Sequence, residues 1–416
     1  MKDMKKVVFI SAVRTPVGRY MGALREVEAY DLASMVFGEA IKKANVAPGQ
    51  VDEVIMGQSY QNGEYVNIAR MALLKAGWPE AIPGITLDRR CCTGLDVVRF
   101  AAAIIQSGQA EIVVAGGVES MSNAEFYLPG CIKWGIGGAR GMPRGHGDLS
   151  LWGIPFYDRI QRARVMSQPE ERYGQLPSMM AWAETAAKEE GISREACDQW
   201  SLESHQKACA AIEAGKFQEE IIPVSVPQRK GDPVIVTRDE TPRADTSIEN
   251  LARLKPVMGG VCTAGNSSTE NDGAAAVVVT TMEKATQLGV TPLAGLESCA
   301  VVGEDPRRAY KTVPVAVQKA LRSAGLTIDQ MDLIEIQEAF AAQVLADLKE
   351  MGVGPEFYDR INVNGSGISL GHPIACTGAR VLTTLLHEMR RRDARYGLEC
   401  ICGGGGLGIA AIVSRV

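Results

Sequence analysis

What this chain lacks narrows what it can be. No apolar run is long enough to cross a bilayer. The first, Val7 to Val13, is stopped by Arg14 and is too short for a secretory leader. The last residues, Ser414-Arg415-Val416, are not a peroxisomal address. No excess of one charge stands out: the net charge of −5 over 416 residues gives no reason to expect nucleic acid as a partner. The cysteines Cys91-Cys92 and Cys400-x-Cys402 do not make the paired C-x₂-C spacing of a zinc site, so no metal is expected. The length and the missing secretory context also exclude a small disulfide-stapled fold. The expectation is a soluble cytoplasmic protein with free thiols, in which Cys131, Cys197, Cys209 and Cys299 act as small apolar residues. Histidine is scarce, with only four in the chain.

Against those absences, 44 glycines and an apolar fraction of 46% suit a compact α/β chain with many tight turns. The length allows two to three domains, or two similar halves plus an insertion. Lys5 to Ala12 reads as a buried strand, Ala29 to Ala44 as a helix and Val51 to Gly57 as a second strand. Leu95 to Ile105 is apolar on most faces, so it reads as a buried helix ended by Ser107-Gly108. The same order resumes with strands at Ala274–Thr280, Met331–Ile336 and Ile409–Val413. Helices are expected at Val315–Ala324, Ala339–Lys349 and Ala379–Arg391. This alternation predicts a mostly parallel sheet. Between the halves, helices are expected at Met179–Glu190 and Arg194–Ala214.

The stretch from Glu125 to Pro177 is rich in Gly, Pro, Arg and aromatics and has weak periodicity, as a lid or binding loop has. Trp134, Trp152, Phe156 and Tyr157 suit a small local core or a pocket cover. Lys133, Arg140, Arg144, Arg159, Arg162 and Arg164 outnumber Asp148 and Asp158. They read either as a solvated face or as a cradle for an anionic substrate.

Three separated segments carry chemistry. Cys91 follows a strand and opens a helix, where unpaired N–H groups favour a thiolate; Cys92 is the competing nucleophile. His372, held between Gly371 and Pro373, is suited to take a proton from a thiol. His205 and His387 fall on helices and read as surface residues, and His146 has no special setting. Cys402 leads into the glycines 403–406. No Lys-Ser/Thr follows them, so this is no phosphate loop. Exposed N–H groups beside a thiol suit an oxyanion hole, and the thiol itself suits proton exchange with a carbon acid.

Together these segments resemble the thiolase family over essentially the whole chain. Ser11-Ala12-Val13-Arg14-Thr15-Pro16, Gly116-Gly117-Val118-Glu119-Ser120-Met121-Ser122, Leu254-Lys255-Pro256, Thr263 to Ser268, Asn271 to Ala276 and Asn362-Val363-Asn364-Gly365 add to the likeness. The resemblance implies a thiolase fold: two similar βαβαβαββ halves in a five-layer α-β-α-β-α core, plus an inserted loop domain. The expected boundaries are 1–124, 125–250, 251–280 and 281–416. It also implies Cys91 as acylated nucleophile, His372 as its activator, Cys402 as acid/base, and the N–H groups of Cys91 and Gly404 as oxyanion hole. Met179, Ala264, Ser268, Ala339 and Phe340 would line the pantetheine tunnel. Coenzyme A would be co-substrate, with no tightly bound cofactor. A homodimer or dimer of dimers is implied, and some relatives also use a small zinc-ribbon partner subunit.

The chain departs from the family pattern near the acyl pocket. Gln337 stands where Asn is usual and positions a catalytic water, Cys92 replaces a very small residue, and Thr93 replaces Ser. Ala375-Cys376-Thr377 replaces Gly-Ala-Ser, and the Glu125–Pro177 segment differs most. These departures favour a branched, aromatic or carboxylated 3-oxoacyl-CoA, of the benzoylsuccinyl-CoA kind. The alternatives are an ordinary acetyl-CoA acetyltransferase acting on acetoacetyl-CoA, and a ketoacyl-synthase-like condensing enzyme.

Overall fold

The computed structural model describes residues 5–129 and 155–416. One mixed sheet runs through the molecule. Its strands follow in the order Leu333–Ile336, Tyr396–Gly403, Leu407–Ser414, Ala294–Gly303, Val7–Arg14, Asn271–Thr281, Val113–Ser120, Glu53–Gly57 and Gly84–Leu87. The two halves join where Val8 and Phe9 pair with Gly295 and Ala294.

Three large apolar cores hold five layers together, the middle one lying on both faces of the central helix layer. Helices Ala29–Lys43 and Ile68–Lys75 cover the outer face of the N-terminal half. Helices Thr312–Ala324 and Ala341–Glu350 cover the outer face of the C-terminal half. Between the two sheet regions lie helices Thr93–Ser107 and Thr377–Arg392. Their Leu95, Val98, Leu382 and Leu385 share one core with Val277 from one side and Ile401 and Ile409 from the other. A helix sandwiched between sheets must be apolar nearly all round, which is why Leu95–Ile105 shows so little polar face. Gly108 closes that helix in the left-handed conformation at φ +80°.

Strand direction differs from the sequence-based expectation. Among the described strands only Glu53–Gly57 with its two neighbours, and Leu333–Ile336 with Tyr396–Gly403, pair in parallel. The long central joins are antiparallel. Strands buried on both faces read as continuous apolar runs in either arrangement, so the pattern carries no direction. His205 and His387 also differ: both are buried. His387 Nε2 lies 3.0 Å from the Ala12 carbonyl oxygen, and His205 Nδ1 accepts the Arg243 N–H at 3.3 Å. Among the described residues no helix is long and apolar enough to cross a membrane.

After Glu125, Phe126–Tyr127 pairs with Tyr157–Asp158, and short helices follow at Arg159–Val165 and Glu170–Tyr173. Trp134, Trp152, Lys133, Arg140, Arg144, His146 and Asp148 lie outside the described residues. Phe156 is exposed and Tyr157 packs on Tyr127, so these two form no sizeable core.

Candidate active site

Both middle-layer helices start the same way, with one tight 3₁₀ turn, Arg90–Cys92 or Ile374–Cys376, feeding the helix. They meet end to end. A side chain on Gly94 would lie 2.6 Å from the Ala379 nitrogen, so only glycine permits this approach. Arg90 takes a left-handed backbone (φ 54°), its N–H donating to Asp88 Oδ1 at 2.8 Å. Ser59 Oγ donates to the same oxygen at 2.9 Å. This bend turns Cys91 toward the other half of the molecule, while Cys92 faces the core and donates to the Ile401 carbonyl at 3.6 Å. The geometry therefore separates two thiols that the sequence leaves in competition.

Cys91 Sγ lies 3.2 Å from His372 Nε2. His372 Nδ1 lies 2.6 Å from Thr377 Oγ1, whose hydroxyl donates to the Pro373 carbonyl at 3.1 Å. With its proton spent there, Thr377 Oγ1 accepts from Nδ1–H, which leaves Nε2 unprotonated and facing the thiol. The His372 N–H donates to Asn271 Oδ1 at 2.8 Å, and Asn271 Nδ2 donates to the Gly18 carbonyl at 2.9 Å. Glu119 joins the site from below, accepting N–H groups from Ser59, Tyr60 and Ala375 at 3.0–3.1 Å. Burial pushes its carboxyl up to about 7 against those three donors.

Burial pulls His372 down to about 3, with the Arg380 and Arg164 charges adding to the effect, so it rests as neutral imidazole. Burial also pushes the Cys91 thiol up to about 11. The backbone N–H groups of Gly404 and of Cys91 itself work the other way, as does Arg90. A resting thiolate at the helix start, expected from the sequence, is thus overridden by desolvation.

A cavity of about 640 Å³ reaches Cys91, His372, Cys402 and Gly404. Met179, Ala264, Ser268, Ala339 and Phe340 line its wall. Phe340 is braced edge-on by Trp182, and the Ser268 N–H donates to the Ala339 carbonyl at 2.9 Å. Arg19 and Arg243, exposed cations of the rim, had no signal in the sequence beyond their charge. Gln337 stands elsewhere. It is fully buried off the cavity wall, neither amide atom has a hydrogen-bond partner among the described residues, and its Nε2 lies against Gly367. Among the described arginines of the Glu125–Pro177 segment, Arg164 alone lines the cavity, and it pairs with Glu270 at 2.6 Å. Arg159 pairs with Glu125, and Arg162 lies over the Tyr157 ring. The described part of that segment therefore offers no free cationic cradle.

A neutral thiol–imidazole pair, a second thiol and converging N–H groups at the end of a long cavity suit acyl transfer through a thioester. Two family models match nearly the whole chain: "Thiolase, N-terminal domain" over residues 7–283 and "Thiolase, C-terminal domain" over residues 290–415. The chain belongs to the thiolase family. It is an acyltransferase of that family, and its sequence relatives agree. An acetyl-CoA acetyltransferase of Cupriavidus necator is 45% identical over 414 residues, covering 99% of this chain and 100% of that protein. One of Escherichia coli is 43% identical over 415 residues with the same coverage. The fold matches the crystal structure of the Bacillus anthracis acetyl-CoA acetyltransferase with a TM-score of 0.90 at 38% identity, covering 99% of each chain. Human mitochondrial 3-ketoacyl-CoA thiolase follows at 0.88 and 34%, again covering 99% of each chain.

Thr377, Asn271 and Glu119 are the site residues that sequence reasoning passed over. Glu119 and Asn271 sit inside segments quoted for their likeness and Thr377 inside one quoted as a departure, yet only the fold shows that all three hold His372 or its turn.

Proposed function

We propose that this thiolase cleaves acetoacetyl-CoA or a similarly short 3-oxoacyl-CoA with coenzyme A, or runs the reverse Claisen condensation. The observation that carries the reading is the Cys91–His372 contact of 3.2 Å at the floor of a cavity shared with Cys402 and Gly404. The acetyl-CoA acetyltransferase relatives, matched over their full length, favour this ordinary substrate over the branched, aromatic or carboxylated one that the sequence departures suggested. Two of those departures also lose force in the structure, since Gln337 lies off the cavity wall and Arg164 is already paired.

In this reading the Cys91 sulfur attacks the 3-oxo carbon while its proton passes to His372 Nε2. Transfer and attack belong together, because neither thiolate nor imidazolium is stable at rest here. The N–H groups of Cys91 and Gly404, which already favour negative charge at the sulfur, receive the negative oxygen of the acyl-enzyme adduct. The C2–C3 bond breaks, and Cys402 gives its proton to the departing α-carbon. Coenzyme A then takes the acyl group from Cys91 and restores both thiols. Met179, Ala264, Ser268, Ala339 and Phe340 would hold the pantetheine arm, and the rim arginines Arg19 and Arg243 suit its phosphates. Coenzyme A is co-substrate, and the scheme draws on no tightly bound cofactor. Gln337 acts from behind this wall, through a bridging water or through packing on Gly367. The boundaries near 124, 250 and 280, and assembly as a homodimer or dimer of dimers, belong to the same reading.

The test is thiolysis of acetoacetyl-CoA beside an aromatic 2-substituted 3-oxoacyl-CoA, followed by loss of the thioester enolate absorbance. Faster turnover of acetoacetyl-CoA is expected. Preference for the bulky substrate would restore the specialised reading, and turnover of neither would defeat both.

A further inference from the structure

In a 3-oxoacyl-CoA the tail beyond C3 and the pantetheine arm leave the reacting carbons in opposite directions. They therefore need different walls of the cavity. The arm has its wall at Met179, Ser268 and Phe340. A second wall lies beside the Cys91–His372 pair, where Tyr60, Met121, Ala163 and Ile374 line the same cavity. All four belong to one small apolar cluster, in which Tyr60, Met121 and Ile160 are buried and Ala163 and Ile374 pack against them.

Hydrogen bonds fix this second wall to the reacting groups. After strand Glu53–Gly57 the chain is held at Gln58, whose N–H donates to the Leu87 carbonyl at 3.1 Å. The Tyr60 N–H then donates to Glu119 Oε1 at 3.0 Å, and Glu119 Oε2 accepts the Ala375 N–H at 3.0 Å. One carboxyl group thus holds both Tyr60 and the turn after His372, with Ile374 packed between them. Met121 Sδ accepts the Asn271 N–H at 3.4 Å, and Asn271 Oδ1 accepts the His372 N–H at 2.8 Å. Arg90, the neighbour of Cys91, donates from Nη2 to the Ala163 carbonyl at 3.1 Å.

Tyr60 is the bulkiest side chain of the wall and the least able to give way. Its backbone is pinned at Glu119, and Met121 and Ile160 pack on its ring. Tyrosine also has only two side-chain torsions. Met121 is different, since an unbranched thioether bends to suit what it touches. Ala163 has no reach. Burial pushes the Tyr60 hydroxyl up, so the ring carries no charge toward a bound tail. Beyond the cluster the cavity meets the Arg164–Glu270 pair, closed at 2.6 Å, where an apolar tail gains nothing.

We propose that Tyr60 is the specificity-determining residue for acyl-chain length: its ring forms the end wall of the acyl subsite and confines the tail beyond C3 to a methyl group or little more. The proposal rests on the short-chain reading of the substrate. Every 3-oxoacyl-CoA shares the pantetheine arm, so discrimination by length has to come from the acyl end. A methylene that finds room there, out of water, is worth about fourfold in binding. One driven against a packed ring gains none of this and displaces its neighbours.

The test is kcat/KM for thiolysis of acetoacetyl-CoA, 3-oxohexanoyl-CoA and 3-oxooctanoyl-CoA by the wild type, Tyr60→Phe, Tyr60→Leu and Tyr60→Ala, each with a thermal melt. The wild type should favour acetoacetyl-CoA. In Tyr60→Ala the ratio of 3-oxohexanoyl-CoA to acetoacetyl-CoA turnover should rise roughly tenfold or more. Tyr60→Leu should move it the same way by a smaller step, and it gives the reading if Tyr60→Ala does not fold. Tyr60→Phe keeps the ring and should keep the wild-type ratio. A wild type that favours acetoacetyl-CoA, with the ratio unmoved in folded Tyr60→Leu and Tyr60→Ala, would overturn the role of Tyr60 and leave the short-chain reading standing. A ratio that shifts as far in Tyr60→Phe as in Tyr60→Ala would overturn it too, because the hydroxyl and not the ring would then decide. A wild type that favours 3-oxooctanoyl-CoA would instead overturn the short-chain reading itself.

Discussion

A thiol near 11 facing an imidazole near 3 stays a neutral pair until an electrophile arrives. Alkylation of Cys91 in the free enzyme should therefore climb about tenfold per pH unit through neutrality toward the alkaline range. A plateau around neutral pH would mean a preformed thiolate–imidazolium pair and contradict the arrangement. Because Thr377 fixes which nitrogen of His372 is free, Thr377→Val should lower kcat roughly ten- to a hundredfold with little change in KM or Tm. Steady-state kinetics with a thermal melt check this, and a fall in Tm matching the loss of kcat would point to structure alone. At this scale the meeting of Cys91, His372 and Cys402 at one cavity was legible from the three segments taken as a set, since each alone has an ordinary structural explanation. Thr377 was not. A threonine beside a helix start has many uses, and only the 2.6 Å contact with His372 selects one.

The turn that carries His372 depends on Gly371. Its φ of +93° disfavours any side chain, and a Cβ there would come within 2.6 Å of the Asn271 side chain that holds the His372 N–H. Gly371→Ala should destabilise the protein by about 1–3 kcal/mol in denaturant unfolding. It should also cut turnover by more than about a hundredfold, since the imidazole moves off the thiol. Full activity in a folded Gly371→Ala would show that the turn tolerates the shift. Helices were legible as elements because their ends carry chemistry, such as Gly108 after Ser107. Strand direction was not, since Val277 to Val279, buried on both faces, reads alike in parallel and antiparallel pairs. His205 and His387 misled for a related reason. A polar residue on a helix reads as exposed until the packing of an inserted segment or a middle layer is known.

The whole molecule encloses more acid than its middle layer can neutralise. Glu335 and Glu399 lie side by side on parallel strands, both fully or nearly fully buried, and Arg380 is buried without a hydrogen-bond partner among the described residues. Burial pushes Glu335 up to about 8, Arg380 opposing and Glu338 adding, and Glu399 rises well above the carboxylate range. A carboxyl raised on folding stabilises the native state below its unfolded pKa, and that contribution is lost as pH rises through the folded value. Tm should therefore fall as pH rises from about 4.5 to about 8, and the slope should flatten in Glu335→Gln; an unchanged slope would place the titration elsewhere. The central claim also belongs to this scale. The nucleophile comes from the N-terminal half, its base and the second thiol come from the C-terminal half, and only the assembled layers bring them to one cavity. The most direct measurement is the intact mass and peptide map of the enzyme quenched after mixing with acetoacetyl-CoA without free coenzyme A. One acetyl group on Cys91, absent in Cys91→Ala and slow to form in His372→Ala, is the expected result. An acetyl group on Cys92 or Cys402, or undiminished thiolysis by Cys91→Ala, would contradict it.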